Sequence, residues 1–166
     1  MSDIETLQGI PLFHGLSAAQ LRAITSIASP QRVPADAVIL REGDRGDALF
    51  ILAAGSVEVT KRLGLVGSMP LDVVKEKTLV RLDAPQFFGE MGLLEDAERS
   101  ATVTALGECE LLKVSRADFE RLAATDASLG YLVLRNMAIV LSSRLRRTDR
   151  DVVKLTMALS LALGIH

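Results

Sequence analysis

The stretch from Phe87 to Val103 constrains the fold more than any other part of this chain, because it combines a sharp turn, a very short helix and a restart of β structure. Gly89 frees the backbone to turn, and the apolar run that follows is long enough for only about one helical turn. The first N–H groups of such a helix have no partner inside it and can face an anion. Arg99 and Ser100 then supply a guanidinium and a hydroxyl before β-favouring residues resume. Together these features predict a phosphate-binding pocket.

The same stretch resembles the phosphate-binding cassette of cyclic nucleotide-binding domains, the family found in catabolite activator proteins and in regulatory subunits of cyclic-nucleotide-dependent kinases. The match joins Phe88-Gly89-Glu90 to Arg99-Ser100-Ala101-Thr102-Val103 across an apolar helical turn. The resemblance implies that Arg99 holds the phosphate oxygens and that Glu90 accepts a hydrogen bond from the ribose 2′-hydroxyl. It also implies that Ser100 and nearby main-chain amides complete the pocket. The ligand-binding residues implied in this stretch are Phe88, Gly89, Glu90, Met91, Gly92, Leu93, Arg99, Ser100, Ala101 and Val103.

The alternative interpretation is an ordinary hairpin with a surface arginine and a glutamate that starts a helix. An isolated Gly-Glu or Arg-Ser pair would favour that alternative, whereas the joined pattern favours the phosphate pocket. Because Glu90 would repel an anionic phosphate, we expect Arg99 to neutralise both groups, and a charge-assisted hydrogen bond of about 1.5–3 kcal/mol would make Arg99 the largest contributor to binding. The sequence departs from kinase-type cassettes at Glu98, where proline is common, and at Gly92, where alanine is usual. These departures affect the expected base preference and affinity.

Length and composition favour one domain. A chain of 166 residues, of which 49% are hydrophobic, can bury a real core. We expect N-terminal helices over residues 1–31, a β-barrel over 32–115 containing the cassette at 87–103, and C-terminal helices over 116–166. The net charge of -2 gives no overall basic field for DNA or an acidic membrane, so neither is expected as a partner. A lone cysteine and the absence of an apolar leader predict a cytoplasmic protein without disulfides.

Short β-favouring runs separated by turn residues occupy the middle of the chain. Their spacing favours a mainly β fold, and the resemblance implies an eight-stranded, jelly-roll-like barrel (a double-stranded β-helix) with flanking helices. The acidic stretch from Glu42 to Asp47 is predicted as a turn, because its spacing is too short for an EF-hand. A glycine-containing loop is expected over residues 63–70. Strands are predicted at residues 38–40, 49–52, 57–59, 71–74, 79–82, 102–103 and 111–114.

Serine residues mark the starts of three short helices. Ser2 and Ser17 are each followed three positions later by Glu or Gln, which is the spacing of a capping box. The apolar residues after Ser17 keep a helical period until Pro30. Ser115 predicts a further helix with Phe119 on its buried side. We expect the two N-terminal helices to pack against the outside of the barrel.

The last segment is predicted as one long helix, because it contains no proline or glycine between Tyr131 and Leu163. A helix from residue 128 to 163 would extend about 54 Å, more than one small domain needs. A seam of apolar residues at alternating spacings of three and four predicts a parallel homodimer. A second stripe at Val133, Met137 and Val140 allows the helix also to lie along its own barrel, and both arrangements can hold together. The seam residues are Leu134, Ala138, Leu141, Leu145, Thr148, Val152, Leu155, Leu159 and Ala162.

Thr148 is the polar exception in this seam. A polar residue at such a position lowers stability unless it specifies an interaction or the register of the helices. In catabolite activator proteins a threonine of the corresponding helix contacts the adenine ring, so the resemblance implies base contacts for Thr148 and for the adjacent Asp149. The alternative is a polar residue that only sets the register of the seam, and both interpretations stay open. Four arginines are interpreted as a solvated face, since no helix-turn-helix motif follows to use them on DNA. They are Arg144, Arg146, Arg147 and Arg150.

The leading functional hypothesis is a regulatory module that senses a cyclic nucleotide, cAMP before cGMP, and passes the event to its long helix and to a downstream protein. No catalysis, metal or cofactor beyond that ligand is expected. The first alternative is a ligand-free dimerisation or docking scaffold, which would be expected to have lost Arg99 or Glu90. The second is a cupin-like metal enzyme, which needs clustered histidines and carboxylates. His14 and His166 both lie outside the predicted strands, which argues against it.

Overall fold

The computed structural model describes residues 3–63 and 75–164, which form two antiparallel sheets flanked by helices. The strands are β1 (Ser29–Val33), β2 (Val38–Leu40), β3 (Ala48–Ala54), β4 (Ser56–Leu63), β5 (Lys75–Asp83), β6 (Gln86–Phe88), β7 (Thr102–Ala105) and β8 (Cys109–Ser115). The helices are α1 (Asp3–Gln8), α2 (Ala18–Ile27), α3 (Met91–Leu94), α4 (Arg116–Thr125) and α5 (Ala127–Leu163), and a 3-10 turn spans Pro11–Phe13. The strand order is β1-β8-β3-β6 in one sheet and β2-β7-β4-β5 in the other.

This architecture confirms the predicted mainly β, jelly-roll-like fold with flanking helices and a long C-terminal helix. The strands pair as two separate four-stranded sheets, so the barrel is not closed. The strand predicted at residues 71–74 and most of the loop predicted at 63–70 lie outside the described residues.

Strand β3 lies in the middle layer of the molecule and shows how the core is divided. Successive side chains of a strand point to opposite faces of its sheet. Leu49 and Ile51 are buried against the N-terminal helices and α5, whereas Phe50 and Leu52 are buried against the second sheet. The first sheet is therefore covered on both faces, as its continuous apolar run in β3 requires. The expected packing of the N-terminal helices on the outside of the β structure is confirmed.

Strand β1 is missing from the sequence-based prediction, which places the barrel at residues 32–115 and its first strand at 38–40. In the structure β1 begins at Ser29 and pairs with β8, with Pro30 opposite Leu112. A proline lacks the N–H that an inner strand would donate, but β1 is the edge strand of its sheet and tolerates it. Pro30 therefore marks an edge strand as well as the limit of α2.

The serine caps form as predicted where the structure describes them. Ser17 Oγ accepts from the Gln20 N–H at 3.3 Å, and Gln20 Oε1 accepts from the Ser17 N–H at 3.0 Å, which completes the capping box of α2. Ser115 Oγ accepts from the Asp118 N–H at 3.1 Å and starts α4. Helix α1 begins at Asp3, and its predicted cap Ser2 lies outside the described part of the chain.

Helix α5 is anchored firmly at its N-terminal end. The Asp126 carboxylate accepts from the Leu129 N–H at 2.9 Å and from Gln20 Nε2 at 3.0 Å. The first of these bonds, followed by the second, lowers the pKa of Asp126. Gln20 Nε2 also donates to Ser128 Oγ at 3.0 Å, so one side chain joins the starts of α2 and α5. Farther along, the buried Asn136 amide donates to the carbonyls of residues 12 and 14 at 3.1 and 2.8 Å.

The two predicted stripes of α5 have different environments. Val133 and Met137 are each 1% exposed and pack into the core, which confirms that the helix lies along its own β structure. Leu145 and Leu159 of the predicted dimer seam are 62% and 59% exposed. Dimerisation through the seam stays a prediction. Among the helices that the structure describes, none has the length and apolar content that a membrane crossing requires.

Candidate ligand-binding site

The cassette folds as a turn, one helical turn and a new strand, in the predicted order. Gly89 has φ 74°, a left-handed conformation that favours glycine, and it connects β6 to α3. The N–H groups of Gly92 and Leu93, expected to be free for an anion, are already engaged: they donate to the carbonyls of Gly89 and Glu90 at 3.1 and 3.0 Å. The expectation of free amides is therefore wrong for these two, because the short helix closes with 3-10-type bonds.

The predicted turn at Glu42–Asp47 lies against the cassette and holds the backbone of Arg99. The Arg99 N–H donates to the Asp44 carbonyl at 2.8 Å, and the Gly43 N–H donates to the Arg99 carbonyl at 3.0 Å. No group of three or more histidine, cysteine or acidic side chains in the described residues could hold a metal ion. Among the described residues, the acidic residues of this stretch therefore form a turn that positions Arg99.

The Arg99 side chain points inward and is 9% exposed. Its Nη1 donates to the Gly89 carbonyl and its Nη2 to the Ala48 carbonyl, both at 3.1 Å. Burial lowers the pKa of Arg99, while the nearby carboxylates of Asp47 and Glu90 act in the opposite direction. The result is a fixed and largely desolvated cation at the base of the site.

Glu90 is buried as well, with 7% of its surface exposed. Its carboxylate accepts a hydrogen bond from Arg144 of α5, and the Arg144 guanidinium lies 5.3 Å from the centre of the Phe87 ring. This corrects the interpretation of Arg144 as part of a solvated face. Position 144 lies four residues before Thr148 and therefore on the same side of the helix, which is the sequence signal that could have identified it.

These groups surround one cavity of about 700 Å³, formed by the cassette, strand β5 and helix α5. Ten of the twelve predicted site residues line it, and two, Leu93 and Asp149, do not. The predicted residues on its wall are Phe88, Gly89, Glu90, Met91, Gly92, Arg99, Ser100, Ala101, Val103 and Thr148.

The two predicted residues that miss the cavity do so for simple geometric reasons. Leu93 is 4% exposed and packs into the core cluster with the N-terminal helices. Asp149 follows Thr148 directly, so its side chain is turned about 100° away around the helix. On helix α5 the acidic residue that reaches the cavity is Asp151, three positions after Thr148 and close to its face of the helix.

Several cavity residues were not predicted from the sequence. Strand β5, at the edge of its sheet, contributes apolar and polar side chains. Helix α5 contributes Val152 and Leu155, which the seam pattern had assigned to a dimer, and others outside the seam. From β5 these are Lys77, Thr78, Leu79, Val80 and Leu82, and from α5 they are Val140, Arg144, Arg147, Asp151, Val152 and Leu155.

A family model, described as the cyclic nucleotide-binding domain, matches residues 30–126 of the chain. The matched range contains the whole cassette and both sheets except Ser29, the first residue of β1. The chain belongs to the cyclic nucleotide-binding domain family. The family match and the relatives of the chain support a regulatory role based on cyclic nucleotide binding.

Relatives of this cyclic nucleotide-binding domain include receptors and channels. The cyclic AMP receptor protein of Thermus thermophilus is 35% identical over 146 residues, which cover 88% of this chain and 62% of the relative. A cyclic nucleotide-gated potassium channel of Rhizobium etli is 35% identical over 125 residues, covering 75% of this chain and 31% of the channel. The crystal structure of the Thermus thermophilus catabolite activator protein superposes with a TM-score of 0.74 at 34% identity, covering 88% of this chain and 63% of that one. The chain thus spans less than two thirds of the length of these relatives.

Proposed function

We propose that this domain binds a 3′,5′-cyclic purine nucleotide, cAMP in the first instance, and that binding shifts the position of helix α5. The observation that carries the proposal is that two buried and oppositely charged groups, Arg99 and Glu90, line the same cavity. Burying a charge costs free energy unless the charge is paired with an opposite charge or binds a ligand. A ligand-free scaffold gains nothing from keeping both of them at a cavity wall.

The phosphate of the ligand would lie against Arg99. Two of the five N–H donors of its guanidinium serve the carbonyls of Gly89 and Ala48, which leaves three for anionic oxygens. Ser100, at the cavity wall next to it, adds a hydroxyl donor. Hydrogen bonds between charged partners are about twice as strong as neutral ones, so this contact would dominate affinity.

The ribose would lie against Glu90. An ionised carboxylate has about four acceptor positions, so the hydrogen bond from Arg144 leaves room for a 2′-hydroxyl donor. Arg144 also offsets the repulsion between Glu90 and the phosphate, a role that the sequence analysis assigned to Arg99 alone. A ligand without the 2′-hydroxyl would lose this bond.

The base would lie between strand β5 and helix α5. Leu79 and Val80 on one wall and Val152 and Leu155 on the other offer apolar surface for a purine ring. The Thr148 hydroxyl donates to the Arg144 carbonyl at 3.2 Å, so its oxygen stays available as an acceptor for an adenine amino group. Guanine has a carbonyl at that position of the ring, which is the physical reason for preferring cAMP.

Coupling to α5 would follow from differential contacts. Residues 140–155 of helix α5 supply a wall of the cavity. A bound nucleotide can therefore contact the helix only when the helix lies close to the cassette. A ligand shifts an equilibrium between two states by its difference in affinity for them. The ligand would thereby favour the position of α5 that closes the cavity.

We propose in addition that the exposed seam pairs α5 with that of a second copy. A cytoplasmic location and the existence of a downstream protein partner remain predictions from the sequence.

The proposal is tested by isothermal titration calorimetry of the chain with cAMP, cGMP and, as a control, 5′-AMP. We expect micromolar or tighter binding of cAMP, weaker binding of cGMP and no comparable binding of the non-cyclic nucleotide. Thermal unfolding in the presence of each nucleotide guards against a binding enthalpy near zero. No heat and no rise in Tm with either cyclic nucleotide would contradict the proposal.

A further inference from the structure

The far end of helix α5 exposes apolar side chains on two opposite sides. One side carries the distal residues of the seam, among them Leu159. On the other side Val153, Met157 and Leu161 follow one another at intervals of four, and they are 51%, 62% and 76% exposed. At about 100° per residue, Met157 points about 160° away from Leu159 around the helix axis. Pairing of two helices through the seam therefore leaves this second apolar row uncovered.

The row has the form of a surface that packs against another helix. Residues at positions i, i+4 and i+8 make a ridge on a helix, and such a ridge fits the groove of a second helix. Between Val152 and Leu163 the only polar residues are Lys154, Thr156 and Ser160. A helix that is apolar around most of its circumference is normally buried. The row thus indicates a contact in addition to the seam.

Cations surround the part of the row that lies nearer the β structure. Arg146, Arg150 and Lys154 are exposed and repeat at the same interval of four. Among the described residues, none of these three has an ion-pair partner within 4.0 Å. The two acidic residues of α5 are Asp149, at the border of this region, and Asp151, at the cavity. The region therefore has an excess of positive charge.

We infer that this side of α5 is a docking surface for an acidic amphipathic helix of a partner protein. Apolar side chains of the partner would cover the row, and its carboxylates would lie opposite the cations. Complementary charge across an interface speeds association and disfavours partners of the wrong sign. The residues of this distal surface are Arg146, Arg150, Val153, Lys154, Met157 and Leu161.

Charge and geometry favour this occupant over two others. A second copy of the chain would bring the same excess of positive charge to the contact and would not neutralise it. A helix that lies on a membrane needs a polar face on the side away from the lipid. Helix α5 has the apolar seam and the cavity wall on that side. An acidic helix satisfies both the apolar row and the cations.

The inference goes beyond the proposed function. No residue of the distal surface lines the cavity, so docking there does not require a bound nucleotide. The surface also lies apart from the seam, so a partner helix and a second copy of the chain can bind α5 at the same time.

The test is fluorescence anisotropy with a labelled helical peptide that has leucine at every fourth position and glutamates beside the leucines. The same peptide with lysine in place of glutamate is the charge control. We expect the acidic peptide to bind the wild-type chain and the basic peptide not to bind. Met157→Asp should weaken the acidic peptide about tenfold or more, because it places a carboxylate in the centre of the apolar row.

Leu159→Asp is the matched control for Met157→Asp, because Leu159 has a similar exposure of 59% but lies on the seam side. It should leave the affinity for the acidic peptide within about twofold of the wild type, since the two sites share no contact. Circular dichroism verifies that both variants keep the helix. Equal losses in the two variants would overturn the inference.

A charge swap tests the electrostatic part separately. Replacing both Arg146 and Arg150 with glutamate should reverse the preference, so that the basic peptide binds about tenfold better than the acidic one. An unchanged preference for the acidic peptide would contradict the role of the cations.

Three further results would overturn the inference. The first is that neither peptide binds the wild-type chain. The second is that Met157→Asp lowers the mass of the wild-type assembly in light scattering, because the surface would then join copies of this chain. The third is that vesicles of phosphatidylserine and phosphatidylcholine bind the wild type but not Met157→Asp. Failure to bind cAMP in calorimetry would contradict only the proposed function, and failure of the peptide assay would contradict only this inference.

Discussion

Arg144 of helix α5 donates a hydrogen bond to the buried carboxylate of Glu90 and at the same time covers the ring of Phe87 at 5.3 Å. Phe87 is 1% exposed and belongs to the core beneath the helices, and it lines the cavity together with Glu90. One side chain therefore connects the long helix to the core and to the candidate site. Any movement of α5 near Arg144 must change the environment of Glu90.

Replacing Arg144 with methionine should destabilise the chain. The change keeps an apolar side chain over Phe87 but leaves the Glu90 carboxylate without its charged partner. Because the Arg144 side chain is 42% exposed, we expect a loss of about 1–2 kcal/mol in the free energy of unfolding, less than for a fully buried pair. Urea denaturation measures it, with Arg146→Met on the exposed face as the control. Equal stabilities of the two variants would show that the pair contributes nothing.

Replacing Arg99 with lysine should weaken cyclic nucleotide binding far more than it weakens the fold. The Arg99 guanidinium donates to the carbonyls of Gly89 and Ala48 and can bond an anion at the same time. The ammonium of lysine cannot reproduce that geometry. We expect a loss of about 1.5–3 kcal/mol in binding, roughly 10- to 150-fold in Kd. Calorimetric titration gives the affinity, and Arg41→Lys, at an exposed position outside the cavity lining, serves as the control. An unchanged Kd would place the phosphate elsewhere.

The stability of the chain should fall in acid in part because of Asp126. Hydrogen bonds from the Leu129 N–H and Gln20 lower the pKa of this carboxyl below its ordinary value of 3.8. A carboxyl whose pKa is depressed on folding stabilises the fold above its ordinary pKa, and this contribution is lost as the pH falls through the lowered value. In Asp126→Asn the amide oxygen can still cap α5, so stability should depend less on pH between about pH 5 and pH 2.

Denaturation midpoints measured across that range test the assignment to Asp126. Asp149→Asn, on the exposed part of α5, is the matched control and should keep the wild-type pH dependence. If the Asp126→Asn profile parallels that of the wild type, the cap does not contribute to acid sensitivity.

The exposed seam of α5 should support a dimer. Leu145 and Leu159 lie on the seam but outside the cavity wall, so changing both to aspartate tests association without altering the candidate site. Light scattering should report a dimer for the wild type and a monomer for the double variant. Ile139 is 51% exposed on a different face of the helix, and Ile139→Asp should remain a dimer. A monomeric wild type would contradict the seam.

Local signals in the sequence predicted much of this structure. The caps at Ser17 and Ser115, the turn at Glu42–Asp47 and the uninterrupted helix α5 each depend on residues close in sequence, and each forms as expected. Strand β1 was missed because its five residues gain their structure only by pairing with β8, at the far end of the β region. Short strands are decided by their partners more than by their own residues.

The candidate site shows the same division between local and long-range information. Arg99 and Glu90 could be predicted because a contiguous motif carries them. The role of Arg144 depends on how α5 lies across the cassette, and the choice of Asp151 over Asp149 depends on the rotation of that helix about its axis. The close approach of Gly46 to the Arg99 side chain joins two segments that lie far apart in the sequence.

Near its N-terminal end, helix α5 is held by the bonds of Gln20 to Asp126 and Ser128 and by Asn136, and Arg144 adds the bond to Glu90. From Asn136 the helix continues for about 40 Å to Leu163, while Arg144 lies only about 12 Å along it. A nucleotide-driven displacement of the helix near Arg144 would be magnified by a factor of about 3.4 at its tip. A closure of about 1.5 Å around a nucleotide would move the far end by more than 5 Å, about one helical turn of a neighbouring helix.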